Sequence, residues 1–190
     1  PYNGAGFVGD TWYNNDFILD FNNNKLYITV TNKTTGEKAL DNFAYALDLS
    51  EVSVVKGIDL FGWAGDAYYD NILIEYVTDD EPFVPEVEPV IWSEDFEGDA
   101  SLASRVDTLT GSPVIENGVL KAGIEQGIIV NSKNGLVANA PMGKIRVNLD
   151  MKVKNSDLAA TKATLVTDAG NYMLISYGVW GGLRPHPTDG

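Results

Sequence analysis

The stretch "KIRVNLDMKVKN" (144–155) alternates without a break. Ile145, Val147, Leu149, Met151 and Val153 fall in one set, and Arg146, Asn148, Asp150, Lys152 and Lys154 in the other. Successive side chains of an extended chain point to opposite faces, so this is a long strand with one apolar face and one wet face. A strand of that kind needs partners along its edges and a second layer over its apolar side.

Candidate partners run through the sequence. "WYNNDFILDF" (12–21) and "LYITVT" (26–31) bracket Asn22, Asn23, Asn24 and Lys25, and asparagine tolerates the left-handed backbone, so the two read as a hairpin. "KTTGEK" (33–38) offers Gly36 for a second turn. "FAYALDL" (43–49), "VKGIDLFGW" (55–63) and "YYDNILIEYV" (68–77) read as further strands. So do "IWSEDFE" (91–97), "VIENGVLKAG" (114–123) with its Asn117-Gly118 turn, "GIIVNS" (127–132), and a hairpin of "KATLVTD" and "NYMLISYGVW" around Ala169-Gly170. "SLASRV" (101–106) and "SDLAATK" (156–162) have the look of short helical turns capped by Ser or Asp. Short strands with regular turns and almost no helix predict an all-β sandwich or jelly roll. Its expected core holds Phe17, Leu19, Ile28, Val30, Ile72, Ile74, Phe96, Leu120, Ile145, Val147, Leu149, Leu174 and Val179.

"TDDEPFVPEVEPV" (78–90) has three prolines and five acids. Proline donates nothing to a ladder, and like charges keep a segment extended. Residues 78–91 therefore read as an extended, exposed linker between 1–77 and 92–182, with 183–190 an irregular tail. The net charge of −14 argues against nucleic acid and anionic membranes, whose phosphates need Lys and Arg. No apolar run approaches the roughly 18 residues of a membrane span. Cysteine is absent, so there is no disulfide framework and no thiolate metal site. An acidic, cysteine-free β protein rich in Asn and Thr fits the bacterial cell exterior, and a chain starting at Pro1 without a signal peptide reads as processed or trimmed.

"SEDFEGD…VIENGVLKAG" (93–123) resembles the opening of concanavalin A-like jelly rolls, the group that includes laminin-G-like domains and several carbohydrate-binding modules. "WYNNDFILDFNNNKLYITVTNKTTGE" (12–37) resembles the middle of such domains, and "YYDNILIEY" (68–76) their close. The order is inverted here: middle and close occupy 1–77, and the opening follows. Two orphan half-sandwiches would expose unpaired edges and raw core. The expectation is one jelly-roll sandwich, circularly permuted within the chain or completed by a neighbouring chain, with domain swapping the route to the second.

The resemblance implies that opening and closing strands lie side by side with a structural calcium between them, and the matching positions are Asp70, Asp95 and Glu97. Calcium takes six to eight hard oxygens, which clustered carboxylates supply. The competing reading makes them exposed turn residues.

Aromatic plates stack on the apolar C–H faces of sugars while amides and carboxylates bind the hydroxyls. Trp12, Trp63, Trp92 and Trp180, with Tyr68, Tyr69, Tyr172 and Tyr177, are the aromatics that could do so; by alternation the outward candidates for glycan contact are Tyr172, Trp180, Arg146, Asn148 and Asp150, with Trp63 added from the surplus of aromatics, and core filling is the competing role for each aromatic. Trp12 and Trp92, among apolar neighbours, read as core. Catalysis is poorly supplied: jelly-roll glycosidases carry a Glu-x-Asp-x-x-Glu run that is missing here, and the single histidine, His186, sits in the tail. Asn32-Lys33-Thr34 matches a glycosylation sequon, a match frequent by chance. The expectation is a non-catalytic glycan-binding or adhesion module of an extracellular or cell-surface protein, its partners a polysaccharide and neighbouring copies of itself. The alternative is a structural repeat or self-assembling subunit without a small ligand.

Overall fold

The computed structural model describes residues 7–77, 90–106, 108–131, 138–139, 143–154, 160–178 and 182–184. The first half of the chain contributes β1 (Tyr13–Asp20), β2 (Lys25–Asn32), β3 (Lys38–Ala46), β4 (Val54–Ala64) and β5 (Ala67–Tyr76). The second half contributes β6 (Val90–Glu94), the single-turn helix α1 (Leu102–Arg105), β7 (Thr108–Thr110), β8 (Val114–Glu116), β9 (Val119–Ala122) and β10 (Gln126–Asn131). It continues with β11 (Ala138–Asn139), β12 (Lys144–Val153), β13 (Ala160–Thr167), β14 (Asn171–Gly178) and β15 (Gly182–Arg184).

The strands form two antiparallel sheets. One runs β3-β2-β1-β12-β5-β9-β8, with β6 also paired to β5. The other runs β15-β14-β13-β4-β10-β7, with β11 also paired to β4. The alternating strand β12 sits between β1 and β5. A strand of the second half thus separates two strands of the first. The second sheet repeats the pattern, since β4 lies between β13 and β10. The far edge of β5 is shared: Ala67–Tyr69 pairs with β9, and Ile72–Glu75 with β6. The two halves therefore complete one another inside one chain, and the pairing needs no neighbouring chain.

The local chemistry explains the turns. Asp20 pairs with Lys25 across the first hairpin, and the Asp20 carboxylate accepts the backbone N–H of Asn23 at 3.0 Å. Asn24 closes the loop in the left-handed region, at φ 51°. Gly36 (φ 73°) turns β2 into β3, where Asn32 Oδ1 accepts the N–H groups of Thr34 and Thr35. Asn117 and Gly118, at φ 54° and 74°, form the two-residue turn between β8 and β9. α1 occurs within the expected 101–106 turn, though the Ser101 side chain does not cap it.

Between the sheets lies one apolar core. Phe17, Leu19, Ile28, Val30, Ile72, Ile74, Phe96, Leu120, Ile145, Val147, Leu149 and Leu174 are all buried in it, as expected; Val179 lies outside the described residues. The Tyr69 hydroxyl crosses this core to Thr161 Oγ1, which in turn donates to the Phe61 carbonyl at 3.0 Å. Three expectations need correction. Ala160–Lys162 opens β13 and is not part of a helical turn, because it ladders with both β4 and β14. The tail begins later than 183, since β15 pairs with β14 through Arg184. Val90 and Ile91, assigned to the linker, already belong to β6; residues 78–89 lie outside the described residues.

Candidate functional site on the outer face of the first sheet

The wet face of β12 looks outward between β1 and β5, and a bulge sets what stands there. Register jumps from Asn148 opposite Leu73 to Asp150 opposite Asp70, so Leu149 alone faces Asn71 and Ile72. The extra residue, Asn71, takes a left-handed φ of 49°. Bulges of this kind re-aim side chains. Here the bulge leaves both Asp70 and Asn71 on the outer side, while Tyr69 and Ile72 both remain in the core.

Asp150 is the hub. Its side chain is 3% exposed, and it accepts hydrogen bonds from Asn14 Nδ2 at 3.0 Å and Asn71 Nδ2 at 2.9 Å, and an ion pair from Lys33. Buried carboxylates persist when donors surround them. Asn14 and Asn148 also exchange amide hydrogen bonds at 2.9 and 3.2 Å. Toward one end of the face, Arg146 bridges Asp16 (3.0 Å) and Glu75 (3.2 Å). Toward the other, Lys152 Nζ lies between two rings, 4.9 Å from the centroid of Trp12 and 4.3 Å from that of Tyr68. Lys121 approaches the Tyr68 ring at 5.9 Å and pairs with Glu116 (3.3 Å) and Asp66 (3.6 Å). Where β6 lies beside β5, Asn71, Ile72, Leu73, Ser93, Glu94 and Asp95 line an open cleft of about 340 Å3.

Arg146, Asn148 and Asp150 thus share one face, as alternation implied, although Asp150 is buried within its network. Two further candidates for glycan contact, Tyr172 and Trp63, go elsewhere. Tyr172 is 8% exposed and belongs to the core, because it pairs across β13 with buried Leu165. Trp63 is 62% exposed but stands on the other sheet. Trp180 and His186 lie outside the described residues. Trp12, expected in the core, sits half-buried on the outer face against Lys152, while Trp92 does pack against the core.

The calcium set fares differently. The strands bearing Asp70 and the "EDFE" motif are neighbours, as the resemblance implied. Burial pushes the Asp70 carboxyl above its ordinary value; the nearby charges of Asp150 and Glu97 add to the rise. Yet Asp95 Oδ1 turns back to accept the N–H of Glu97 at 3.0 Å. Among the described residues no three His, Cys, Asp or Glu side chains gather as a metal would require. Asp70, Asp95 and Glu97 form no such group among the described residues.

The motif serves a structural lock. Phe96 is fully buried at a left-handed φ of 55°, and its N–H donates to Glu94 Oε1 at 2.7 Å. The same oxygen accepts Arg105 Nη1 at 2.6 Å, in a pair whose side chains are 12% and 11% exposed. Arg105 also donates to the carbonyls of Ala100 (3.1 Å) and Glu97. Arg105, Lys33, Asn14 and Asn71 were not singled out from the sequence, whereas Tyr68 was among the aromatics read as able to stack on a sugar. One signal was available: Tyr69 and Ile72 can both face the core only if a residue is inserted between them.

The chain is an all-β sandwich of two antiparallel sheets. No family model matches its sequence, and no curated protein matches it.

Proposed function

We propose that the protein is a non-catalytic glycan-binding module of a secreted or cell-surface bacterial protein. The observation that carries this reading is the outer face of the first sheet. Tyr68 stands on β5 a few residues from a cleft lined by the hydrogen-bonding groups of Asn71, Ser93, Glu94 and Asp95. A polysaccharide along β5 would lay a C–H face on the Tyr68 ring and give its hydroxyls to those amides and carboxylates. The jelly-roll likeness of the "EDFEG" and "YYDNI" motifs supports the same reading. A frame of ion pairs and amide bonds holds the neighbouring side chains in place, which lowers the ordering cost of binding.

A glycan array, followed by affinity electrophoresis in immobilised polysaccharide, tests the proposal. Tyr68→Ala and Asn71→Ala should each weaken retention about tenfold, equivalent to ~1.4 kcal/mol. A blank array with folded protein refutes the proposal. A self-associating repeat is the second reading, favoured by Trp63, Ile124 and Val114, which are 62%, 67% and 50% exposed. Concentration-dependent oligomers in size-exclusion chromatography, lost in Trp63→Ser, would favour it.

A further inference from the structure

We propose that Lys33 and Asp150 join in an intramolecular amide bond, an isopeptide staple from the end of β2 to β12 across β1. It is independent of glycan binding.

The two groups are presented to each other by fixed elements. The Lys33 backbone N–H donates to the Trp12 carbonyl at 2.9 Å, and the Asn32 side chain caps the turn that follows. From there Nζ reaches Asp150 Oδ2. Holding two reacting groups in contact replaces a bimolecular encounter and removes much of the entropic barrier. Burial of Asp150 adds a driving force, since a desolvated ion pair is costly and a neutral amide is not.

The surroundings match what the reaction needs. Asn14 Nδ2 donates to Oδ1 at 3.0 Å, where charge develops when the amine adds to Cγ. Asn71 Nδ2 donates to Oδ2, the oxygen that leaves, at 2.9 Å. The same amide reaches Asp70 Oδ2 at 3.2 Å, and Asp70 stands opposite Asp150 in register. Asp70 is therefore the group placed to take a proton from the Lys33 ammonium and return it to Oδ2. The balance closes without an oxidant or reductant. The Nζ–Cγ bond forms and the Cγ–Oδ2 bond breaks. Of the three ammonium protons, one stays on the amide nitrogen and two leave with Oδ2 as water. The Lys33 side chain is 45% exposed, which gives that water an exit.

Mass spectrometry of the intact chain under denaturing conditions decides the matter, because an ion pair does not survive unfolding and an amide does. The wild-type chain should be lighter than its sequence by one water. Trypsin should fail to cut after Lys33 and release a branched peptide joining the Lys33 and Asp150 segments. Lys33→Arg should return the full sequence mass. Asp70→Asn should also return it, wholly or in large part, with an unchanged far-ultraviolet circular dichroism spectrum. A wild-type chain at full sequence mass, cut normally after Lys33, overturns the proposal whatever the variants do. Complete water loss in Asp70→Asn overturns the proton-carrying role of Asp70.

Discussion

Arg105→Ala removes the cation that closes the "EDFEGD" segment. Glu94 then keeps a carboxylate that is nine-tenths buried and has lost its countercharge. Breaking a buried pair by deleting one partner costs about 3–5 kcal/mol, because the remaining charge stays desolvated. The bonds from Arg105 to the carbonyls of Ala100 and Glu97 lie at exposed positions and add little. Phe96 adds more. Its left-handed backbone is a strained conformation for a bulky residue, costing ~1–3 kcal/mol, and it holds only while Glu94 Oε1 accepts its N–H. A loss of about 3 kcal/mol is expected, the low end, because Glu94 can swing toward water. For a chain of this length ~1 kcal/mol moves the melting temperature by about 2–4 °C, so the midpoint should fall by about 10 °C. Urea denaturation followed by tryptophan fluorescence reads both the free energy and the m-value. The double variant Arg105→Met with Glu94→Gln keeps an acceptor for the Phe96 N–H and buries no charge, so it should recover more than half the loss. If Arg105→Ala costs less than about 0.5 kcal/mol, the size of an ordinary surface change, the lock reasoning is wrong.

Leu149→Ala, at a fully buried position on β12, should cost about 2–5 kcal/mol in the same assay. Asp59 on the second sheet is held above its ordinary value by burial, against the opposing pull of Lys162 at 3.7 Å. The native state therefore binds that proton more tightly than the unfolded chain, so its contribution to stability falls as pH rises from 3.8 through the raised native value. Asp59→Asn should flatten the stability profile over that window, and melting curves at stepped pH will show it. Residues 1–77 and 90–190, made as separate chains, should each remain unfolded alone and refold together into one cooperative species, because β12 of the second half stands between β1 and β5 of the first, and β4 of the first between β13 and β10 of the second. Two independent melts would contradict the interleaved sheets.

Much of the fold was legible in the sequence because it depends on local signals. Period-two alternation marked β2 and β12, and Asn-Gly, Gly and Asn residues marked the turns, where the left-handed backbone selects them. The interleaving of the halves could be argued from motif order and from the cost of unpaired edges. Weak or short strands were missed. β7 and β11 have three and two residues and are strands only because β10 and β4 offer an edge. β3 was read only from Phe43 onward, because it carries little alternating burial and lies at the edge of its sheet.

The site was half legible, for a reason that lies in the bulge. Alternation places Arg146, Asn148 and Asp150 outward because β12 is regular from Lys144 to Asn148. It cannot say that β5 slips by one residue opposite Leu149, and that slip converts an exposed carboxylate into a buried one. Asn71 folds over Asp150 from one side, and Asn14 and Lys33 close it from the other. The jelly-roll resemblance implied a calcium at Asp70, Asp95 and Glu97, and a resemblance places strands side by side without saying where each carboxylate turns. Asp95 satisfies its own turn, and Glu97 stands over the Gly118 turn. The acid that matters to the chemistry of this face is Asp150, whose surroundings supply amide donors and an amine. A hard cation needs several anionic oxygens turned inward, whereas an amide bond needs one buried carboxyl, one amine and a neighbouring acid, and Asp150, Lys33 and Asp70 are of that second kind.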